Sequence, residues 1–166
     1  MSGTQAVGAD RVRNETLDQQ PVVRLSLANG DTVVIALHGA QVLSWSTSSA
    51  GEHLFLSPRA VRDGKAAIRG GVPICFPQFN QRGPLAKHGF ARNLPWRLES
   101  TAQTAGDAEA IFLLQDDART RDWWPHGFEA RLIVQLAPGS LCMTLDLFNS
   151  GVDAWSFTGR CTAICG

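Results

Sequence analysis

The amino-acid sequence predicts an all-β fold, a sandwich or barrel. Three observations carry this. Short segments of alternating or β-rich residues recur along the chain. Turn signals separate them, among them Asn29-Gly30-Asp31, Gly106-Asp107 and Pro138-Gly139-Ser140. No stretch sustains a helical period of apolar residues. The chain has 166 residues, of which 44% are hydrophobic, enough for one ordered domain with a core.

Residues 1–20 are polar and read as a loose leader. Residues 21–166 read as one domain. Val22 to Leu27 alternates apolar and polar, a strand pattern, and Asn29-Gly30-Asp31 turns the chain into a return strand from Thr32 to Leu37. Gly39 interrupts, and Gln41 to Ser46 gives a third strand. The Ser-rich stretch Ser46 to Gly51 is a turn, and His53 to Leu56 a further short strand. Strands resume at Trp96–Ser100, Ala110–Leu114, Phe128–Leu136 and Leu141–Phe148. Between them, Ser57 to Pro95 is rich in Gly, Pro and Arg. A connection that long inside a compact domain is uncommon and usually functional.

Lys plus Arg and Asp plus Glu number 15 each. This balance argues against a surface built for nucleic acid, while leaving room for a local basic site. No apolar run is long enough to span a bilayer, and no apolar segment of the secretory type follows Met1, so a cytoplasmic protein is expected. Cys75 and Cys142 lie in apolar segments and read as buried free thiols. Cys161 and Cys165 complete the set of four. No zinc-type spacing of Cys or His occurs, so no metal is expected.

Two segments in the long connection carry candidate chemistry. In Ile68-Arg-Gly-Gly-Val-Pro-Ile-Cys-Phe-Pro-Gln-Phe79, Arg69 followed by two glycines suits an anion. Glycines admit close backbone approach and can turn N–H groups inward, and a guanidinium matches phosphate oxygens in a fork. The same residues also read as a tight turn with a solvated Arg, which is the commoner meaning of a lone Gly-Gly. In Lys87-His-Gly-Phe-Ala-Arg92, an extended backbone would put His88, Phe90 and Arg92 on one face. That face could hold a sugar hydroxyl and a phosphate, or be a strand edge with surface charges. Trp123 and Trp124 could stack on a sugar ring, but capping the core is the favoured reading for such large apolar side chains.

Taken in order, these motifs resemble the hexose-6-phosphate mutarotases of the aldose 1-epimerase superfamily. Ile68–Phe79 is followed by His88-Gly-Phe-Ala-Arg92, Thr120-Arg121, Trp124-Pro125-His126, Asn149 and Phe157-Thr158-Gly159. Upstream, Leu37-His38-Gly39-Ala40 and Leu54-Phe55-Leu56-Ser57 also fit. The likeness runs from about residue 20 to Gly159. It implies a β-supersandwich of the galactose-mutarotase type, incomplete at its C-terminus. It also implies interconversion of the α and β anomers of glucose 6-phosphate and similar sugar phosphates, without a metal or organic cofactor. Arg69 and Arg92 match the family's phosphate- and substrate-contacting arginines. Lys87 stands at a substrate-contacting position where Gln is common, His88 matches the histidine beside the sugar, and Gln78 falls at the pocket edge.

The resemblance also implies an acid His after Phe-Thr-Gly and a base Glu further on. Thr162 stands at the His position, and the Glu lies beyond Gly166. The expectation is a truncated chain of doubtful activity, with His126 or Glu129 as weak substitutes for proton transfer. Unpaired strands would favour self-association. A frameshift over Arg160–Gly166 is the working hypothesis, because one choice of codons reads Leu-His-Ser-Tyr-Leu-Arg in the shifted frame. Sequencing the encoding DNA tests it, and a shifted frame without a mutarotase-like continuation ends it. The alternatives are a non-catalytic sugar-phosphate or carbohydrate-binding module and a plain β-sandwich interaction protein.

Overall fold

The computed structural model describes residues 12–61, 63–161 and 163. Two antiparallel sheets face each other. The first has the order β1-β2-β3-β4-β5, from β1 (Val12–Leu17), β2 (Gln20–Ser26), β3 (Thr32–Ala36), β4 (Val42–Thr47) and β5 (Gly51–Glu52). A two-residue strand, β6 (Ile74–Cys75), lies in the long connection. The second sheet has the order β10-β9-β8-β7, from β7 (Arg97–Gln103), β8 (Ala108–Gln115), β9 (Phe128–Ala137) and β10 (Ser140–Asn149), while β11 (Arg160–Cys161) pairs with β6.

Alternation explains why these segments pair as they do. Val23, Leu25, Val33 and Ile35 turn inward from the first sheet, and Phe112, Leu132, Val134 and Leu136 from the second. On β9 a one-residue slip in register would turn Leu132, Val134 and Leu136 outward, so burial fixes the pairing there, while the first sheet also buries Val22, Val34 and Ala36 on its other face. Trp96 is buried where β7 begins, and its indole N–H donates to the Ala91 carbonyl at 2.9 Å. Asp31, also buried, joins three turns. Its carboxylate accepts from the backbone N–H groups of Ser48 at 2.8 Å and Gly139 at 2.7 Å, tying the two sheets at one end.

The structure corrects several expectations. Part of the presumed loose leader is a strand, with β1 paired along its length to β2, from Val12 opposite Leu25 to Leu17 opposite Gln20. Its turn places Asp18 and Gln19 at φ of 48° and 68°, the backbone of a two-residue hairpin. Asp-Gln lacks the Asn-Gly signature of that turn, which hides the hairpin from sequence reading. The rest of the leader, residues 1–11, lies outside the described residues. The strand expected at His53–Leu56 is displaced to β5, and Leu56 makes only an isolated bridge to Gly70. A short helix, α1 (Ala118–Trp123), occurs where none was expected. Six residues cannot display a period. Its only announcement is Asp117, whose side chain accepts from Thr120 N–H while the Thr120 side chain accepts from Asp117 N–H, a capping box. Cys142 is exposed rather than buried, because alternation on β10 turns Leu141, Met143, Leu145 and Leu147 inward instead.

Candidate functional site

The connection from Ser57 to Pro95 is packed into the molecule in two stretches, from Ile68 to Gln78 apart from Arg69, and from Gly89 to Leu94. Ile68, Val72, Ile74, Cys75 and Phe76 are buried, and bridges join Val42 to Val72 and Phe76 to Gly89. The two glycines after Arg69 serve this packing. Gly71 N–H donates to the Phe55 carbonyl at 2.8 Å. A Cβ at Gly70 would collide with the Phe55 carbonyl oxygen, and one at Gly71 with that of Val42. Gln41 Nε2 then donates to the carbonyls of Ile68 and Gly70 at 3.0 and 2.6 Å. Of the two readings of Arg-Gly-Gly, this geometry favours close backbone packing for the glycines. The Arg69 side chain is left exposed, without a hydrogen bond or ion pair among the described residues.

The segment from Lys87 to Arg92 is not extended, so its residues do not alternate. His88 sits at φ 71°, Gly89 at 69°, and Ala91–Asn93 form a single 3-10 turn. The Phe76 carbonyl accepts from Phe90 N–H and Ala91 N–H, both at 3.1 Å. The expected common face is thereby lost: Phe90 is buried against Phe128 and Trp123, while His88 and Arg92 stay half-buried at the surface.

What the loop does achieve is to bring the second motif onto the first. His88 Nδ1 lies 3.5 Å from Cys75 Sγ and accepts from Asn80 N–H at 3.2 Å. The His88 ring meets the Phe79 ring edge-on at 5.3 Å. Two guanidiniums lie over the same phenyl ring, that of Arg160 at 5.3 Å and that of Arg82 at 6.0 Å, within the range of cation–π attraction. Arg92 Nη2 donates to the Lys87 carbonyl at 3.0 Å, and Arg92 Nε is buried without a partner among the described residues. Burial, Arg92 and Lys87 together lower the His88 pKa, which keeps the imidazole neutral. Burial raises the Cys75 pKa, with Arg92 and Arg160 opposing it.

Charge is the distinctive feature of this cluster. Arg82, Lys87, Arg92 and Arg160 surround Phe79 and His88, and none has a carboxylate within ion-pair distance among the described residues. Elsewhere Arg24, Arg119, Arg121 and Arg131 are paired, while Arg59, Lys65, Arg69 and Arg97 also have no ion pair among the described residues, so what marks this cluster is the gathering of its cations around one phenyl ring and one imidazole. Unbalanced cations beside a neutral imidazole suit an anion bearing hydroxyl groups.

The other expected residues divide. Gln78 is 2% exposed, and its amide faces the loop behind it: Nε2 donates to the carbonyls of Asn80 and Leu85 at 2.9 and 3.0 Å, and Oε1 accepts from Leu85 N–H at 2.9 Å. Trp124 caps the core against Phe76, Phe128 and Trp155, as the favoured reading had it. Trp123 is 48% exposed and borders a cleft of about 540 Å³ with Phe90 and Arg119. Glu129 binds Gln115 and Arg131 on the outer face of the sheet, and His126 packs on Trp124. Neither touches the cluster. Phe157-Thr158 crosses the first motif: Thr158 Oγ1 accepts from Phe79 N–H at 2.9 Å, and Thr158 N–H donates to the Pro77 carbonyl at 3.1 Å. Thr162 and Cys165 lie outside the described residues. Sequence reading passed over Phe79, Asn80, Arg82 and Arg160 as site residues. The only signal was the density of turn residues from Asn80 to Gly83. No group of three His, Cys, Asp or Glu able to hold a metal occurs among the described residues, nor does a helix long and apolar enough to cross a membrane.

Two facing antiparallel sheets make a sandwich of the galactose-mutarotase type, as in the solved structures it resembles. Residues 21–159 match the aldose 1-epimerase family, and the chain belongs to it. It is 40% identical over 130 residues to a Cenchrus ciliaris protein named "Putative glucose-6-phosphate 1-epimerase", covering 75% of this chain and 40% of that one. An Escherichia coli K12 protein of the same name is 41% identical over 119 residues, covering 70% and 39%. Among solved structures, that of YeaD from Salmonella typhimurium, described as a "putative mutarotase", superposes with a TM-score of 0.77 at 31% identity, over 84% of this chain and 48% of that one. HI1317 superposes with a TM-score of 0.72 at 26% identity, over 89% and 51%. The chain therefore spans about half the length of these relatives or less.

Proposed function

We propose that this chain provides the anion-gripping half of a site that interconverts the α and β anomers of hexose 6-phosphates such as glucose 6-phosphate. The observation that supports this most is the set of carboxylate-free cations around Phe79 and His88. Arg92, Lys87 and His88 would contact the substrate there, with Arg69 reaching it from the neighbouring segment. Gln78 would act from behind, by holding the loop. A phosphate held at one end of the sugar fixes where its anomeric carbon lies, and such positioning supplies much of the advantage of an enzyme site.

Mutarotation also needs a base to take the proton from the anomeric hydroxyl and an acid to protonate the ring oxygen. The gathered groups offer donors and positive charge but no carboxylate base. The half of the relatives' length that this chain does not span would supply both in the complete enzyme. A second reading, a sugar-phosphate-binding module without turnover, draws on the same lack of a base. Both readings fit a cytoplasmic protein, since a sugar phosphate is too charged to cross a membrane unaided and the described cysteines are free.

Calorimetric titration tests the proposal. Glucose 6-phosphate should bind and glucose should not. Arg92→Ala should weaken binding about 10- to 100-fold, the loss expected for charge-assisted hydrogen bonds worth about 1.5–3 kcal/mol. Equal affinity for glucose and glucose 6-phosphate would overturn it. A coupled anomer assay then separates turnover from binding alone.

A further inference from the structure

His88 occupies a backbone conformation that L-residues rarely adopt, at φ 71°. Such strain persists only where surrounding contacts hold it, and it points to a constrained side chain. His88 N–H donates to the Asn80 carbonyl at 3.0 Å, and Asn80 N–H donates back to His88 Nδ1 at 3.2 Å. A backbone N–H can only donate, so Nδ1 must present its lone pair there. Cys75 is buried, and its Sγ stands 3.5 Å from the same nitrogen. The thiol, as a weak donor, can share that lone pair. A proton on Nδ1 would be aimed at the Asn80 N–H donor, with only the weak sulfur acceptor of Cys75 to receive it.

We propose that Cys75 and the Asn80 backbone N–H are positioning groups that lock His88 as the Nε2–H tautomer, so that the imidazole meets its ligand as a hydrogen-bond donor and not as a base. The direction matters for the site. A donor at Nε2 can hold a sugar oxygen but cannot take a proton from a hydroxyl. Arg92 and Lys87 reinforce the arrangement, because a second proton on the ring would add a positive charge beside two others. The role assigned to the ligand rests on the sugar-phosphate reading, whereas the tautomer does not.

Long-range 1H–15N correlation spectra of the imidazole nitrogens test this on the chain itself, without ligand. The expected result at pH 7.5 is an unprotonated Nδ1 and a protonated Nε2 for His88. Cys75→Ser keeps a donor and should keep that pattern. Cys75→Ala removes the donor and should admit a measurable population of the Nδ1–H tautomer, with the rest of the spectrum unchanged. Protonated Nδ1 in the unaltered protein would overturn the proposal at once, whatever the variants do. A Cys75→Ala spectrum identical to the parent's would remove Cys75 from the positioning role. Failure of glucose 6-phosphate to bind while the tautomer pattern holds would count against the functional reading alone.

Discussion

Gln78→Met replaces a buried amide by an apolar chain of similar length, so it removes hydrogen bonds while nearly conserving volume. Three well-formed bonds disappear: Nε2 to the carbonyls of Asn80 and Leu85, and Leu85 N–H to Oε1. At a net worth of about 0.5–1.5 kcal/mol each, and with Leu85 N–H left in a poorly solvated place, the loss should be about 2–4 kcal/mol. The damage should stay local, since the amide ties down the Asn80–Ala86 loop and no strand of either sheet. Hydrogen exchange reads this directly. The Leu85 and His88 amides should exchange about 30- to 1,000-fold faster, by the rule of about 1.4 kcal/mol per decade, while amides of β8 and β9 keep their rates. Affinity for glucose 6-phosphate should fall with the loosening, because Lys87 and His88 ride on the loop. Unchanged exchange at Leu85 and His88 together with weakened binding would refute the reasoning. That result would return Gln78 to direct ligand contact, the role that the family resemblance implies.

Three other perturbations follow from the same structure. Asp31 is held below the ordinary carboxylate value of 3.8, at about 2, by Gly139 N–H and then Ser48 N–H. The unfolded chain therefore binds the proton first, and stability present above about pH 4 should drain away as pH falls through about 2. Acid unfolding followed by circular dichroism should show a shallower slope in that window for Asp31→Asn, and an unchanged slope would remove Asp31 from the account. Thiol alkylation at neutral pH should label exposed Cys142 well before Cys75, whose pKa burial raises; equal rates by peptide mass spectrometry would contradict that burial. Among the described residues β10 is the outermost strand of its sheet, and Phe148 upon it is 62% exposed. If that edge drives self-association, sedimentation should show a concentration-dependent mass that Phe148→Lys reduces, and a monomer at every concentration would remove the edge from consideration.

The fold was legible where burial writes a period into the sequence. Phe128 to Leu136 alternates because one face meets the core, and Thr32 to Leu37 is a continuous apolar run because both its faces are buried; with Val22 to Leu27, these segments are the observed β9, β3 and β2, with ends shifted by a residue or two. It was illegible where structure is local and short. The Asp18-Gln19 turn and the Asp117 capping box depend on single backbone angles and side-chain bonds that many sequences could equally make, so β1 and α1 escaped notice.

The site divides along the same line. Motif resemblance offers Arg69, Gln78, Lys87, His88 and Arg92 as candidates, because each stands in a recognisable run. It could not supply the direction in which each side chain points, because a positive φ at His88 and the turn after Phe90 break the alternation on which any such inference rests. Arg82 and Arg160 show the limit most clearly. They are far apart in sequence and belong to no shared motif, yet both guanidiniums lie over the Phe79 ring. What joins them is the pairing of β11 with β6, only two residues long, together with the bonds between Thr158 and the Pro77–Phe79 backbone. The charge of the cluster is therefore a property of the fold. An overall balance of 15 cations and 15 anions conceals it, because acids pair with Arg24 and Arg131 on the sheets, while among the described residues no carboxylate pairs with the cations around Phe79. Ligand affinity at this surface should accordingly depend on Thr158 and Phe79 as well as on the arginines, since loss of either would let Arg82 and Arg160 drift from His88 while the net charge stayed the same.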